Sequence, residues 1–141
     1  MKDWLQAAIL GAVIGIVFAA VFFFLRGVPL INCVLPFLVL ALPVIAGAWT
    51  ARANASAGHD SWLDGVTDGA AAGVASLLVM AIAEVIFGGG YRGGWGFWNP
   101  FGLMGFAFGA VIALANVVFA VLVGGILGAL GGGIARWGQR A

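Results

Sequence analysis

The sequence has little charge, and this scarcity limits what kind of protein it can be. Only 8% of its 141 residues are Asp, Glu, Lys or Arg, against about 25% in soluble domains. A water-soluble fold this poor in charge could not cover its own surface, so hydrocarbon must be the solvent for most of the chain. The net charge of +1 also excludes the strong basic field that attracts nucleic acid.

Residues that build metal and catalytic sites are equally scarce. A single cysteine, Cys33, excludes an internal disulfide, and the only histidine, His59, has no second soft ligand near it in the sequence. We therefore expect no metal site and no cofactor. The sequence also lacks a nucleophile–base pair, paired catalytic carboxylates and a phosphate-binding glycine loop, so we predict that the protein is not an enzyme.

Long apolar runs are the abundant feature, because 64% of the residues are hydrophobic. A helix that spans a membrane needs about 20 such residues, and its backbone must be hydrogen-bonded within the segment. The charged residues divide the chain into four runs, at roughly 4–25, 31–51, 65–87 and 103–130. The sequence therefore predicts one domain, 1–141, with an all-α fold: a polytopic membrane protein with a bundle of four transmembrane helices.

The distribution of positive charge predicts how the helices are oriented. One side of the predicted membrane carries four basic residues and the other carries two; they are Lys2, Arg52, Arg136 and Arg140 against Arg26 and Arg92. By the positive-inside rule, both termini are cytoplasmic in a multi-pass protein of the cell membrane. Tyr91, Trp95 and Trp98 in the third connection are expected at the headgroup level.

Details of the predicted helices add three expectations. Pro36 and Pro43 predict a kinked second helix, and the first connection is short enough for a tight hairpin of the first two helices. Residues 93–135 carry no charge, so the fourth helix is either tilted or begins along the interface. Similar glycine spacing in the first and third helices raises the alternative of two repeated helical hairpins.

Glycine spacing is the strongest pattern in the chain. Residues four apart share one helix face, and glycine there lets two helices in lipid approach closely. The helix-packing glycines that we predict are Gly65, Gly69 and Gly73, Gly124, Gly128 and Gly132, and Gly11 and Gly15. We expect tight packing near the cytoplasmic face, with phenylalanines filling the outer half: Phe22, Phe23, Phe24, Phe87, Phe106 and Phe108. The alternative is that 24 glycines produce such spacing by chance.

Three polar residues are candidates for the bundle interior: Glu84, Ser76 and Asn116. Glu84 lies near the end of the third helix, where it either carries a function or pairs with Arg26 or Arg92. Ser76 and Asn116 are expected to meet at one depth, either as an interhelical hydrogen bond or as the lining of a small pore.

Asp64 and Asp68 lie at the start of the third helix. Negative charge there interacts favourably with the helix dipole and with the free amides of the first turn. Two carboxylates supply too few oxygen ligands for a metal ion, so we predict no metal.

Three segments carry a family resemblance: Leu35-Pro36 through Ala46-Gly47-Ala48, Asp64-Gly65 through Gly73, and Gly128 to Gly133. With them the chain resembles small four-helix, glycine-rich membrane proteins of prokaryotes, including archaeal families of unknown function. The resemblance implies the fold and no activity.

Two functions fit these features. The first is a structural or accessory subunit that packs into a membrane assembly or self-associates, with lipids, a second copy or other membrane subunits as partners. The alternative is a small channel or carrier that uses the inward-facing polar residues of the third and fourth helices.

Overall fold

The residues that the structure describes form a bundle of four α-helices. The computed structural model describes residues 3–25, 28–55, 61–87 and 102–140. The helices are α1 (Asp3–Leu25), α2 (Pro29–Ala55), α3 (Trp62–Phe87) and α4 (Gly102–Arg140), and the described residues contain no strand. Each helix includes a stretch that is long and apolar enough to cross a membrane. The predicted all-α fold with four membrane-spanning helices is confirmed.

Local sequence signals explain where α2 and α3 begin. Pro29 is the first residue of α2. Proline is favoured at this position because a backbone N–H there would have no acceptor within the helix. α3 begins at Trp62 rather than at the predicted residue 65, because Ser61 caps it. The backbone N–H of Asp64 donates to the Ser61 hydroxyl oxygen at 3.0 Å, which satisfies one of the free amides of the first turn.

α4 is much longer than predicted. It has 39 residues and ends at Arg140, whereas the prediction ended it at residue 130. Three successive glycines, Gly131, Gly132 and Gly133, are poor helix formers in water. In lipid, however, backbone groups must be bonded within the segment, and all three glycines are buried in the bundle. The helix therefore continues through them.

α3 is at the centre of the bundle. It packs against all three other helices, whereas α1 and α4 do not contact each other in the described part of the chain. α1 packs more extensively on α3 than on α2, although its connection to α2 is short. The predicted tight hairpin of the first two helices is therefore a smaller contact than the pairing of α1 with α3.

The contacts between helices establish their directions. Gly65, Gly69 and Gly73 of α3 lie against Gly132, Gly128 and Gly124 of α4, so these two helices are antiparallel. Gly11 and Gly15 of α1 lie against Ala72 and Ser76, so α1 is parallel to α3. The start of α1, the end of α2, the start of α3 and the end of α4 therefore share one end of the bundle. We call it the terminal end and the other the opposite end.

The two halves of the bundle are packed differently. Beyond Ser76, towards the opposite end, side chains rather than glycines fill the centre: Leu42, Leu77, Met80 and Ala120, with Phe22 packed against them. The expectation that phenylalanines fill this half is wrong for two of them, since Phe23 is exposed and Phe24 is 90% exposed. The side chains of Phe87, Phe106 and Phe108 lie outside the described residues.

Three of the described tryptophans lie close to the terminal end of the bundle. Trp4, Trp62 and Trp137 are all exposed, and Trp62 and Trp137 line the same surface groove. The pairing of α1 with α3 places Trp4 at the level of Gly65, close to Trp62. Exposed tryptophans at one level are typical of the headgroup region. The aromatic residues predicted for that role, Tyr91, Trp95 and Trp98, lie outside the described residues.

Candidate functional site

The backbones of α3 and α4 touch directly along their glycines. A Cβ atom added to Gly73 would lie 2.8 Å from the Cα atom of Gly128, and one added to Gly69 would lie 2.9 Å from the Cα atom of Gly132. Real Cβ atoms essentially never come this close to backbone. Five of the six glycines predicted for this contact have backbone of the partner helix in the place of a side chain, and at Gly65 the side chain of Arg136 lies there instead.

Gly128 brings a third helix to the same point. A Cβ atom on Gly47 of α2 would meet the carbonyl carbon of Gly128 at 2.9 Å, and one on Gly131 would meet the carbonyl carbon of Val44 at the same distance. α2, α3 and α4 therefore approach one another at backbone distance around Gly128.

α1 joins the bundle in the same way. A Cβ atom on Gly15 would lie 2.8 Å from the carbonyl oxygen of Ser76, and one on Gly11 would lie 2.7 Å from the carbonyl carbon of Ala72. The two predicted glycines of the first helix thus contact α3 and not α2.

Four buried polar side chains lie on the segments of α2, α3 and α4 that form the terminal end. They are Thr50 and Asn54 of α2, Asp68 of α3 and Arg136 of α4; Thr50 is 0% exposed and the other three are 2% exposed. Burial of two oppositely charged groups in a membrane bundle is costly unless they have partners. We call these four residues the polar cluster.

One hydrogen bond links α2 and α3 inside the polar cluster. The Asn54 side-chain amide donates from Nδ2 to Oδ2 of Asp68 at 2.7 Å. A bond from an amide to an ionised carboxylate is stronger than a bond between neutral groups. Asp68 therefore does more than interact with the helix dipole, which is the role that the sequence suggested for it.

The side chain of Arg136 runs into the bundle because Gly65 leaves room for it. A Cβ atom on Gly65 would collide with Cγ of Arg136. Side chains of a helix lean towards its N-terminus, which for α4 means away from the terminal end. Asp68 lies one turn beyond Gly65 in the same direction, so the guanidinium group extends towards the level of Asp68.

Three atoms of the polar cluster are buried without a hydrogen-bond partner in the structure. They are Nε and Nη2 of Arg136 and the hydroxyl oxygen Oγ1 of Thr50. A buried donor without a partner costs about 1–3 kcal/mol, and more when it is charged. The polar cluster therefore has unused capacity to donate hydrogen bonds.

The predicted interior residues are not brought together. The Ser76 hydroxyl donates to the carbonyl oxygen of Gly73 in its own helix at 2.9 Å. Asn116 is exposed and lines a cleft of about 280 Å³ with Leu77 and Ala81 of α3. The bond predicted between Ser76 and Asn116 is not among those of the described residues. Glu84 belongs to α3, and its side chain lies outside the described residues.

Sequence analysis missed most of the polar cluster, although signals for it exist. Thr50 and Asn54 are four residues apart and therefore share a face of α2. Arg136 follows Gly132 by four residues and so continues the glycine stripe of α4. The described residues contain no group of three or more metal-ligating side chains.

The fold and the polar cluster define a class: a small polytopic helical membrane protein with a buried, oppositely charged cluster at one end. Comparison with known proteins takes the identification no further, since no protein family, curated protein or solved structure matches the chain.

Proposed function

We propose that the protein is a structural or accessory subunit that associates laterally with transmembrane helices of a partner, and that residues 114–119 of α4 form the contact. All six side chains of this segment are exposed. Six residues make more than one and a half turns of a helix, so the exposed side chains are not confined to one face. Asn116 and Phe119 of this segment line a cleft with residues of the other three helices.

Asn116 is the observation that carries this proposal. Its side-chain amide lies at the level of Ala81, within the apolar stretch Trp62–Ala83 of α3. Lipid tails offer an amide neither donors nor acceptors, and interhelical hydrogen bonds drive association of helices in membranes. A polar group of a neighbouring helix, in a second copy or in another subunit, meets this requirement.

The rest of the bundle is suited to a rigid support. Backbone-to-backbone contacts fix all four helices around α3, and interiors packed this closely deform little. The alternative of a channel or carrier has less support, because the Ser76 hydroxyl is bonded within its own helix. Asn116 does line a cleft to which all four helices contribute.

Native mass spectrometry from a mild detergent tests the proposal. We expect the wild-type protein to be detected as an oligomer or in a complex with other membrane subunits. Replacement Asn116→Leu removes the amide and about 1–2 kcal/mol of association free energy, which is about a tenfold weaker association. Asn116→Gln keeps the amide and serves as the matched control. A monomer that is unaffected by either change would refute the proposal.

Liposome flux separates the two functions. If the protein is a structural subunit, flux stays at background in the wild type and in Glu84→Gln. Flux above background that disappears in Glu84→Gln would establish the channel or carrier instead.

For the orientation, we propose that the terminal end faces the cytoplasm. Lys2, Arg52, Arg136 and Arg140 belong to this end, and the positive-inside rule counts basic residues close to the ends of the helices. A reporter enzyme that is active only outside the cytoplasm, fused after residue 141, should be inactive. Activity of this fusion would reverse the assignment.

A further inference from the structure

We propose that the Nε–Nη2 edge of Arg136 binds a phosphate group at the terminal end of the bundle. The two nitrogens lie on one edge of the planar guanidinium, and their N–H bonds point in the same direction. This is the arrangement that holds two oxygens of a phosphate or carboxylate at once. Both nitrogens are buried and have no partner in the structure.

The surroundings of Arg136 are those of a built site rather than of a surface charge. The residue is only 2% exposed, and the absence of a side chain at Gly65 makes space for its stem. Thr50 of α2 has a second buried group without a partner in the structure, its hydroxyl oxygen. Each of these two side chains, on two different helices, therefore has an unused donor.

The charge balance of the polar cluster favours a phosphate with a single negative charge. Asp68 carries a carboxylate in the same cluster, and its Oδ2 already accepts from Asn54. A doubly charged anion would be repelled by Asp68 more strongly than a phosphodiester, which carries one charge. Phospholipid headgroups contain a phosphodiester, and free inorganic phosphate offers the same oxygens.

The position of Arg136 brings it within reach of lipid headgroups. It is the neighbour of Trp137, whose exposed ring marks the membrane boundary together with Trp62. It also lies about one turn from the end of α4 at Arg140. Phosphates of the bilayer lie at this boundary, so a headgroup needs to enter the bundle by only about one helical turn, about 5 Å.

Thermal unfolding of the full chain, followed by tryptophan fluorescence in a maltoside detergent, tests the proposal. One arm adds short-chain phosphatidylglycerol, with a diacylglycerol of the same chains as the control that lacks phosphate. The other arm adds inorganic phosphate against chloride at equal ionic strength. A ligand that binds only the folded state raises Tm, and above Kd the rise grows with the logarithm of the ligand concentration.

The expected pattern depends on Arg136 and not on charge in general. We expect phosphatidylglycerol, inorganic phosphate or both to raise Tm of the wild type, and R136Q to abolish the rise. R136K keeps the charge but lacks the two parallel N–H donors of the guanidinium edge, so the apparent Kd for the phosphate ligand should be about tenfold higher. R52Q removes an exposed arginine from the same end and should bind as the wild type does.

The two arms distinguish the sources of the phosphate. A rise with the lipid alone assigns the site to a headgroup, and a rise with inorganic phosphate assigns it to a free anion; either result upholds the proposal. If R136Q does not fold, the tenfold loss of affinity expected in R136K tests the proposal instead.

Two results would overturn the proposal. One is a rise in Tm that R52Q reduces as much as R136Q or R136K does, which would indicate non-specific attraction. The other is the absence of any rise with either ligand. Recovery of the stability of R136Q in the double variant R136Q/D68N would then show that Asp68 is the partner of Arg136.

Discussion

The two halves of the bundle reach stability by different means. In the terminal half, helices touch through their backbones, and Gly128 lies where three of them meet. In the opposite half, side chains such as Leu77 and Met80 fill the centre, and residues 114–119 of α4 are exposed. Lipid gives helices no hydrophobic reason to associate, so close packing must supply the attraction. The comparison indicates that backbone contacts hold the terminal half together, whereas side-chain packing does so in the opposite half.

The largest expected effect comes from a side chain placed at the meeting point of the helices. Gly128→Leu would push against the backbone of α3 at both Gly69 and Gly73. Overpacking usually costs about 1–3 kcal/mol, and here no flexible side chain can yield, so we expect loss of the folded bundle. Unfolding in a denaturing detergent titration, read by far-UV circular dichroism, measures it.

Gly125 provides the matched control, three residues away on the same helix. A Cβ atom there would meet only Cγ2 of Val74, at an ordinary 3.6 Å. Gly125→Leu should therefore fold, and Gly128→Leu should not. If both variants unfold at the same detergent concentration as the wild type, close backbone contact does not stabilise the terminal half.

A smaller effect is expected from the side-chain core of the opposite half. Leu42 is 1% exposed and packs with Leu77 and Met80. Leu42→Ala leaves a cavity and should lower the free energy of unfolding by about 2–5 kcal/mol while keeping the fold. The same detergent titration reports the change.

The smallest effect is expected from the same leucine-to-alanine change at Leu114, in the exposed segment of α4. Its side chain is 66% exposed, so Leu114→Ala should change the unfolding free energy of the monomer by less than about 0.5 kcal/mol. An effect as large as that of Leu42→Ala would show that the opposite half is closed around α4, and the contrast between the halves would be lost.

The spans of the helices could be predicted from the sequence because a helix that crosses lipid requires an uninterrupted apolar run, which is visible in the sequence. The end of α4 could not, because a charged residue after such a run normally marks the membrane surface. Arg136 departs from this rule since Gly65, 71 residues away in the sequence, leaves space for its stem. Only the pairing of α3 with α4 reveals that space.

The polar cluster was beyond prediction for a similar reason. Asn54 and Asp68 lie on different helices, and their hydrogen bond depends on the relative depth of α2 and α3. Helical spacing shows which residues share a face, as it did for the glycines, but it does not show the depth at which two faces meet. The predicted meeting of Ser76 with Asn116 failed on that point, because Asn116 lies beside Leu77 and Ala81 instead.

The length of α4 makes the protein responsive to the bilayer around it. Its 39 residues extend over about 58 Å, roughly twice the thickness of the hydrocarbon layer. A helix this long accommodates its surroundings by leaning, and the anchored glycines near its C-terminus fix the pivot. We therefore expect a greater tilt of α4 in thin membranes and a smaller tilt in thick ones, so that lipid chain length sets the angle of the helix beyond these glycines.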